Sequence, residues 1–311
     1  MMKKYFLLVF LALAALIVSC GKTPVSDPVE KEDEETATPS TPATPSEPKD
    51  YTIKVISYNI RVPSNETNPD NNWPVRKPGT PAMLLAQKPT VFGLQEAVTE
   101  QINYIVENVP GYSYYGVGRD NGKPIPGASG EIMAIFWDNK QVEAVDWGTF
   151  WLSETPERVS LGWDAACRRT ATWGIFLHKE SGRKFFYVNT HLDHKGTTAR
   201  KEGLKLIVSK IAELNTEKLP VILTGDFNVK PTDASVEVLR GTLQDARVVA
   251  PVTDTDNTYN AWTAKGKSII DYIWFSGFDG ILYYHTLRDA YGGVSLISDH
   301  YPVSAGLVLR G

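Results

Sequence analysis

The chain predicts an α/β sandwich, two mostly antiparallel sheets with helices packed outside. Three observations carry that reading. Short apolar, β-branched runs recur along residues 51–309, each the length of a buried strand. Helical spacing is clear in only two segments, with apolar residues at 102, 105, 106 and 109 and at 204, 207, 208, 211 and 214. Helices can therefore cover the sheets, while strands must build the core. Runs 169–178 and 184–192 flank Glu180-Ser-Gly-Arg183, a hairpin signal that makes neighbouring strands antiparallel.

That domain occupies 51–311. Residues 1–19 read as an export signal, with Lys3 and Lys4 before an apolar stretch too short to span a bilayer. Ser19 before Cys20 resembles a lipobox, so Cys20 is the expected lipidation site and the chain an exported, lipid-anchored protein of a bacterial envelope. Residues 20–50 are rich in Pro, Thr and acids and cannot bury a core, which makes them a solvated tether. Setting aside Lys3, Lys4 and the tether's three lysines and eight acids leaves 27 basic and 28 acidic residues. Such balance argues against a broad basic nucleic-acid footprint but leaves room for a local phosphate site. Only Cys167 remains beyond Cys20, so no disulfide forms within the domain. A monomer is expected.

Taken in order, 51–60 alternates and then turns apolar, a first strand with Asn59 near its end. A Pro/Asn-rich loop precedes a short helix over 82–87. Strand 90–96 delivers Glu96, and a helix follows over 99–109. Strand 112–117, loop 118–130 and strand 132–137 come next, with Glu131 between the last two. Residues 141–151 read as a strand pair. The hairpin's second strand ends in Asn189-Thr-His191-Leu-Asp193, and an amphipathic helix covers 198–214. Strand 269–275 holds one acid, Asp271, inside an apolar run. Ser298-Asp299-His300 and strand 303–309 close the chain.

The central stretch is Leu219-Pro-Val-Ile-Leu-Thr-Gly-Asp-Phe-Asn-Val229. If Phe227 continues the extended backbone, Asp226 and Asn228 project to one side, fit to hold a hard cation or polarise a water. The alternative is an Asx turn in which both side chains bond their own backbone. Many strands deliver a polar group where they stop: Asn59, Glu96, Glu131, His191, Asp226 and Asn228, and Asp299 and His300. Apolar strands that converge on polar tips build a site at one rim of a sheet. A histidine beside a carboxylate is held in one tautomer for proton transfer. His178, His194 and His285 lack that setting and read as surface or packing residues. Oxygen ligands without zinc-type Cys/His spacing favour Mg²⁺, with Mn²⁺ or Ca²⁺ as alternatives.

Ser57-Tyr-Asn59, Gly93-Leu-Gln-Glu96, Asn189-Thr-His191, Gly225-Asp226-Phe-Asn228, Ile270-Asp271-Tyr and Ser298-Asp299-His300 stand in the order found in the endonuclease/exonuclease/phosphatase superfamily. The chain resembles that group, which includes deoxyribonucleases, apurinic endonucleases, sphingomyelinases and inositol phosphatases. Segments Gly116–Asp120, Trp151–Pro156 and Gly162–Ala166 resemble a bacterial secreted branch.

The resemblance implies a four-layered sandwich and a divalent-metal phosphoesterase, with Mg²⁺ the expected ion. Glu96 would bind the metal, with Asn59 and Asp299 nearby. Asp226 and Asn228 would position the attacking water and a phosphate oxygen. His300 would pair with Asp271 and His191 with Glu131. Arg169, or Arg168 beside it, would bind the substrate phosphate together with Asn59. A phosphodiester is the expected bond. A sugar-, inositol- or lipid-headgroup phosphomonoester is the alternative, and an inactive surface binding protein the alternative from another class. Loop 118–130, Trp73/Arg76 and Trp163/Asp164 would either face the substrate or pack the rim.

Overall fold

The computed structural model describes residues 49–311. The export signal, Cys20 and the acidic run expected in the tether lie outside the described residues. Six strands precede the hairpin turn: β1 (Asp50–Asn59), β2 (Val91–Gln95), β3 (Tyr112–Tyr115), β4 (Ile135–Asp138), β5 (Val142–Trp151) and β6 (Thr170–His178). Six follow it: β7 (Lys184–His191), β8 (Val221–Asp226), β9 (Gln244–Asp245), β10 (Asp271–Ser276), β11 (Gly280–Thr286) and β12 (Val303–Arg310).

They form two six-stranded sheets, ordered β11-β12-β1-β2-β4-β3 and β5-β6-β7-β8-β10-β9. Each sheet has one parallel pair near its centre, β1 with β2 and β7 with β8, and is otherwise antiparallel. The architecture is the expected α/β sandwich. Ile53, Val55, Val91 and Leu307 meet Phe176, Tyr187, Ile222 and Ile273 between the sheets. Helices Gly79–Gln87 and Thr99–Asn108 cover one outer face. Helix Thr197–Leu214 covers the other, burying Leu204 and Ile207 against Phe186, Val188 and Leu223. Four layers result. Among the described residues, no helix is long and apolar enough to cross a membrane.

Several strand assignments differ from expectation, two of them because of a bulge. Residues 141–151 form a single strand, because a bulge between Ala144 and Asp146 breaks its alternation. Strand β11 escaped the sequence pattern because a bulge between Ile281 and Tyr283 does the same on a half-exposed edge. Strand 132–137 is shorter than expected, since Ile132 makes only isolated bridges to Ala97 and Gly118.

A buried polar belt ties the sheets together just beneath one rim. Asn189 donates through Nδ2 to the carbonyls of Leu94 (2.8 Å) and Ala134 (3.1 Å) and accepts from Gln95 Nε2 at 2.7 Å. Thr224 Oγ1 donates to the same amide oxygen at 3.0 Å. Gly93 makes room for this: a Cβ there would lie 2.4 Å from the Asn189 side chain. With the Asn189 amide fully bonded, the belt fixes sheet-to-sheet register where the site begins.

Candidate active site

At that rim, the C-terminal ends of both parallel pairs meet the N-terminal ends of their antiparallel neighbours. β1 and β2 bring Asn59 and Glu96, and β7 and β8 bring His191 and Asp226. β10 begins at Asp271, directly across from Asp226. Asp299 and His300 precede β12, Arg169 precedes β6 and Glu131 precedes β4. Together these ends surround a cleft of about 460 Å³ whose lining includes Arg61, Glu96, Arg119, Glu131, Arg169, His191, Asp226, Asn228, Asp299 and His300.

Asp226 stands at the centre. Its Oδ2 accepts from Asn59 Nδ2 at 3.0 Å and lies 3.5 Å from His191 Nε2 and 3.7 Å from His300 Nε2. Both sequence readings of this stretch hold in part. The strand stops at Asp226, and Asn228 takes a left-handed backbone (φ 53°) and donates its N–H to Asp226 Oδ1 at 2.9 Å. This Asx turn, rather than a continued strand, carries Asn228 to the cleft. Phe227 turns inward and stacks on Tyr272. Asn228 Nδ2 donates to the Leu192 carbonyl and to His191 Nε2, both at 3.0 Å.

His300 Nδ1 lies 2.9 Å from Asp271 Oδ2, both side chains fully enclosed. Burial alone would lower the imidazole's pKa, but Asp271, Asp226 and Asp299 outweigh it and push it up to about 10. Burial pulls Asp271 upward as well, towards taking the proton itself. Three carboxylates face His300, so the shared proton belongs on the imidazole. His191 is held more loosely. Its Nδ1 is buried without a hydrogen bond, and Glu131 Oε2 lies 3.7 Å away, bonded instead to Arg119 Nη1.

Glu96 follows β2 with a left-handed backbone (φ 59°). Its carboxylate accepts from Asn59 Nδ2 at 3.1 Å and Val62 N at 3.0 Å. Burial raises its pKa, but His191, these donors and His300 bring it down to about 2. Burial and the neighbouring Glu96 push Asp299 upward. For Asn59 the resemblance implies roles in metal and phosphate binding. This residue lies fully buried beneath the cleft, its amide committed to Glu96 and Asp226 and its oxygen accepting from Arg61 N.

Of the two candidate arginines, Arg169 lines the cleft, whereas Arg168 points to solvent and pairs with Asp120. Trp73 and Arg76 pack the rim rather than face it. The Arg76 guanidinium donates to the carbonyls of Ile60, Arg61, Asn71 and Ile297, which fastens the chain after β1 to the segment before Asp299. Asp164 also lies away from the cleft. It accepts from the N–H groups of Thr198 and Ala199 and so caps helix Thr197–Leu214 from a distant loop. His178 packs against Tyr51 and His285 is exposed, as expected. His194 is exposed but lines the cleft.

Arg61, Arg119 and Tyr259 were not singled out. Arg61 and Arg119 stand inside or beside quoted motifs, so their positions carried a signal. Tyr259 carried none, because irregular chain brings it beside His300, with ring centroids 4.9 Å apart.

Residues 56–300 match the family described as Endonuclease/Exonuclease/phosphatase family. The chain belongs to that family. It is similar to a solved mannosyl-6-phosphatase of Bacteroides thetaiotaomicron, 37% identical, covering 83% of this chain and 100% of that one at a TM-score of 0.78. The human nocturnin catalytic domain shares the fold at 20% identity and a TM-score of 0.62, covering 84% of this chain and 96% of that one. An uncharacterised protein of Acanthamoeba polyphaga mimivirus is 28% identical over 165 residues, half of this chain and 59% of that protein. The match thus spans under two thirds of this curated relative's length. The fold is that of this family, whose members are phosphoester hydrolases.

The family generally uses divalent metals, and the residues present fit one. Arg61 is the cation closest to the Glu96 and Asp299 carboxylates, at 3.8 and 3.7 Å, and it is already paired with Glu66 at 2.9 Å. Glu96 and Asp299 are thus two carboxylates facing one cleft with a single, shared guanidinium within 4 Å, which suits a divalent ion on oxygen ligands.

Proposed function

We propose that this protein hydrolyses a phosphomonoester of a sugar or another small polar molecule, with Mg²⁺ at Glu96 and Asp299. One observation carries the choice: three guanidinium groups, Arg61, Arg119 and Arg169, and the charged His300 face one cleft of about 460 Å³. A terminal phosphate brings two charges and a small leaving group, whereas a diester brings one charge and two substituents. The mannosyl-6-phosphatase at 37% identity supports the same reading. The diester expected from the motifs gives way to it, and the complete set of Glu96, His191, Asp226 and His300 favours turnover over mere binding.

When bound, the metal stabilises charge on the phosphate oxygens. Asp226 Oδ2 takes a proton from the attacking water, held there by Asn59 and flanked by both imidazoles. Arg169 Nη1 and Arg119 Nε are buried donors without partners, available to nonbridging oxygens. A P–O bond to water forms, the ester P–O bond breaks, and a proton is returned to the leaving oxygen. Residues 1–20 support an exported, lipid-tethered enzyme.

The test compares 4-nitrophenyl phosphate, mannose 6-phosphate, bis(4-nitrophenyl) phosphate and plasmid DNA, with Mg²⁺ or with EDTA. Chelator-sensitive monoester turnover at least tenfold above diester turnover is expected. Faster cleavage of either diester overturns the reading, and tight phosphate binding without turnover turns it into a binding protein.

A further inference from the structure

Cys167, Asp193 and His194 come together at the lip of the cleft, with one potential ligand atom from each within 4.8 Å of the others. The grouping resembles a cation site, yet its lone pairs are taken. Asp193 Oδ1 accepts from the backbone N–H groups of Lys195 (2.9 Å) and Gly196 (2.8 Å). Its Oδ2 accepts from Cys167 N at 3.2 Å and from Arg169 Nε at 3.3 Å. A permanent guanidinium therefore occupies the place a metal would need.

The same guanidinium decides the state of His194. Arg169 Nη2 lies 3.0 Å from His194 Nδ1. Arginine has donors and no acceptor, so Nδ1 must supply a lone pair, and the neutral ring carries its proton on Nε2. Asp193 and His194 thus grip two of the three guanidinium nitrogens. The third, Nη1, is buried without a partner in a residue that lines the cleft. We infer that His194, as the neutral Nε2–H tautomer, positions Arg169 so that Nη1 meets the substrate phosphate, and offers its own Nε2–H as a second donor to the bound ester. The inference rests on the phosphoesterase reading.

A pH response follows. Protonation would place an N–H on Nδ1 facing the Arg169 N–H, donor against donor, and release the grip. The charged and titratable groups around His194 are Arg169 ahead of β6, His191 at the end of β7, and Asp193 and Lys195 on its own segment. Burial and then Arg169 hold its pKa below the ordinary 6.5, with Asp193 opposing them. The grip is complete at neutral pH and fails as the medium becomes acid.

Sulfate is a suitable probe because its charge does not change between pH 5 and 8. Its affinity for the Mg²⁺-loaded chain would be measured by calorimetry for wild type, His194→Ala and His194→Asn. In wild type, affinity should fall about tenfold between pH 7.5 and pH 5, the scale of one charge-assisted hydrogen bond. His194→Ala should bind about tenfold more weakly at pH 7.5 with a flatter pH response, and His194→Asn, whose amide oxygen can accept from Arg169, should recover part of the loss. With the best monoester, the rise in KM should exceed any fall in kcat. Nitrogen-15 NMR of the imidazoles should show His194 protonated on Nε2. An Nδ1–H tautomer, or sulfate affinity within twofold of wild type in His194→Ala, overturns the inference while leaving the hydrolase reading in place. Absence of sulfate binding in wild type also overturns the inference, and turnover of the esters decides the hydrolase reading separately.

Discussion

The two histidines that flank Asp226 sit in unlike surroundings. His300 is clamped: its Nδ1 meets Asp271 at 2.9 Å, and the surrounding carboxylates keep it charged against the cost of burial. His191 is open: its Nδ1 has no hydrogen bond, and Glu131, the carboxylate expected to hold it, lies 3.7 Å away and is bonded to Arg119. One half of the site is organised before substrate arrives. The other shares its carboxylate between an imidazole and a guanidinium, both of which face the cleft, and a phosphate between them would complete it. Preorganisation is concentrated where the charge is permanent.

The widest test of this contrast removes what both halves share. Asp226→Ala should lower kcat about 10⁴-fold, the upper end for a positioned general base, in steady-state turnover of the best monoester. Retention of more than a tenth of wild-type activity would show that neither histidine works through Asp226.

On the clamped side, His300→Ala should cost about 10³-fold in kcat. It should also change how stability depends on pH. A histidine whose folded pKa is raised from 6.5 to about 10 contributes stability that is complete below pH 6.5 and lost as the pH rises through about 10. Thermal melting of the chelated protein should therefore show that loss in wild type and a flatter profile in His300→Ala. Parallel profiles would mean that the resting pair carries no such charge.

His191→Ala should cost less, about 10²-fold. Equal losses at the two histidines would erase the contrast. The smallest effect belongs to Glu131→Gln, about fivefold in kcat/KM, the scale of one ordinary hydrogen bond. A loss as large as that of His191→Ala would show that Glu131 moves onto Nδ1 when substrate binds.

Much of this was legible in the chain. The six short motifs named most of the residues that meet at the rim, because each lies where an apolar strand ends, and strand ends are visible as changes in hydrophobic pattern. The two layers of strands and the helices over them follow from the same pattern. What escaped did so for local physical reasons. Bulges in β5 and β11 broke the period of two. Arg119 and Tyr259 sit on irregular segments whose direction no periodicity encodes. Trp73, Arg76 and Asp164 read as polar or aromatic groups near the rim, and only packing showed that they fasten loops and cap a helix.

By itself, the sequence determined the family, the two-sheet architecture and the kinds of groups at the site, since burial pattern and residue chemistry are properties of the chain. Which lone pair faces which donor was decided by tertiary structure. Asn59 donates to both Glu96 and Asp226, Glu131 turned to Arg119, and His194 became the partner of Arg169. The Asn59 contact with Asp226 joins the two sheets, and the others join irregular segments beyond strand ends, so ångström-scale distances between these groups exist only once the chain has folded.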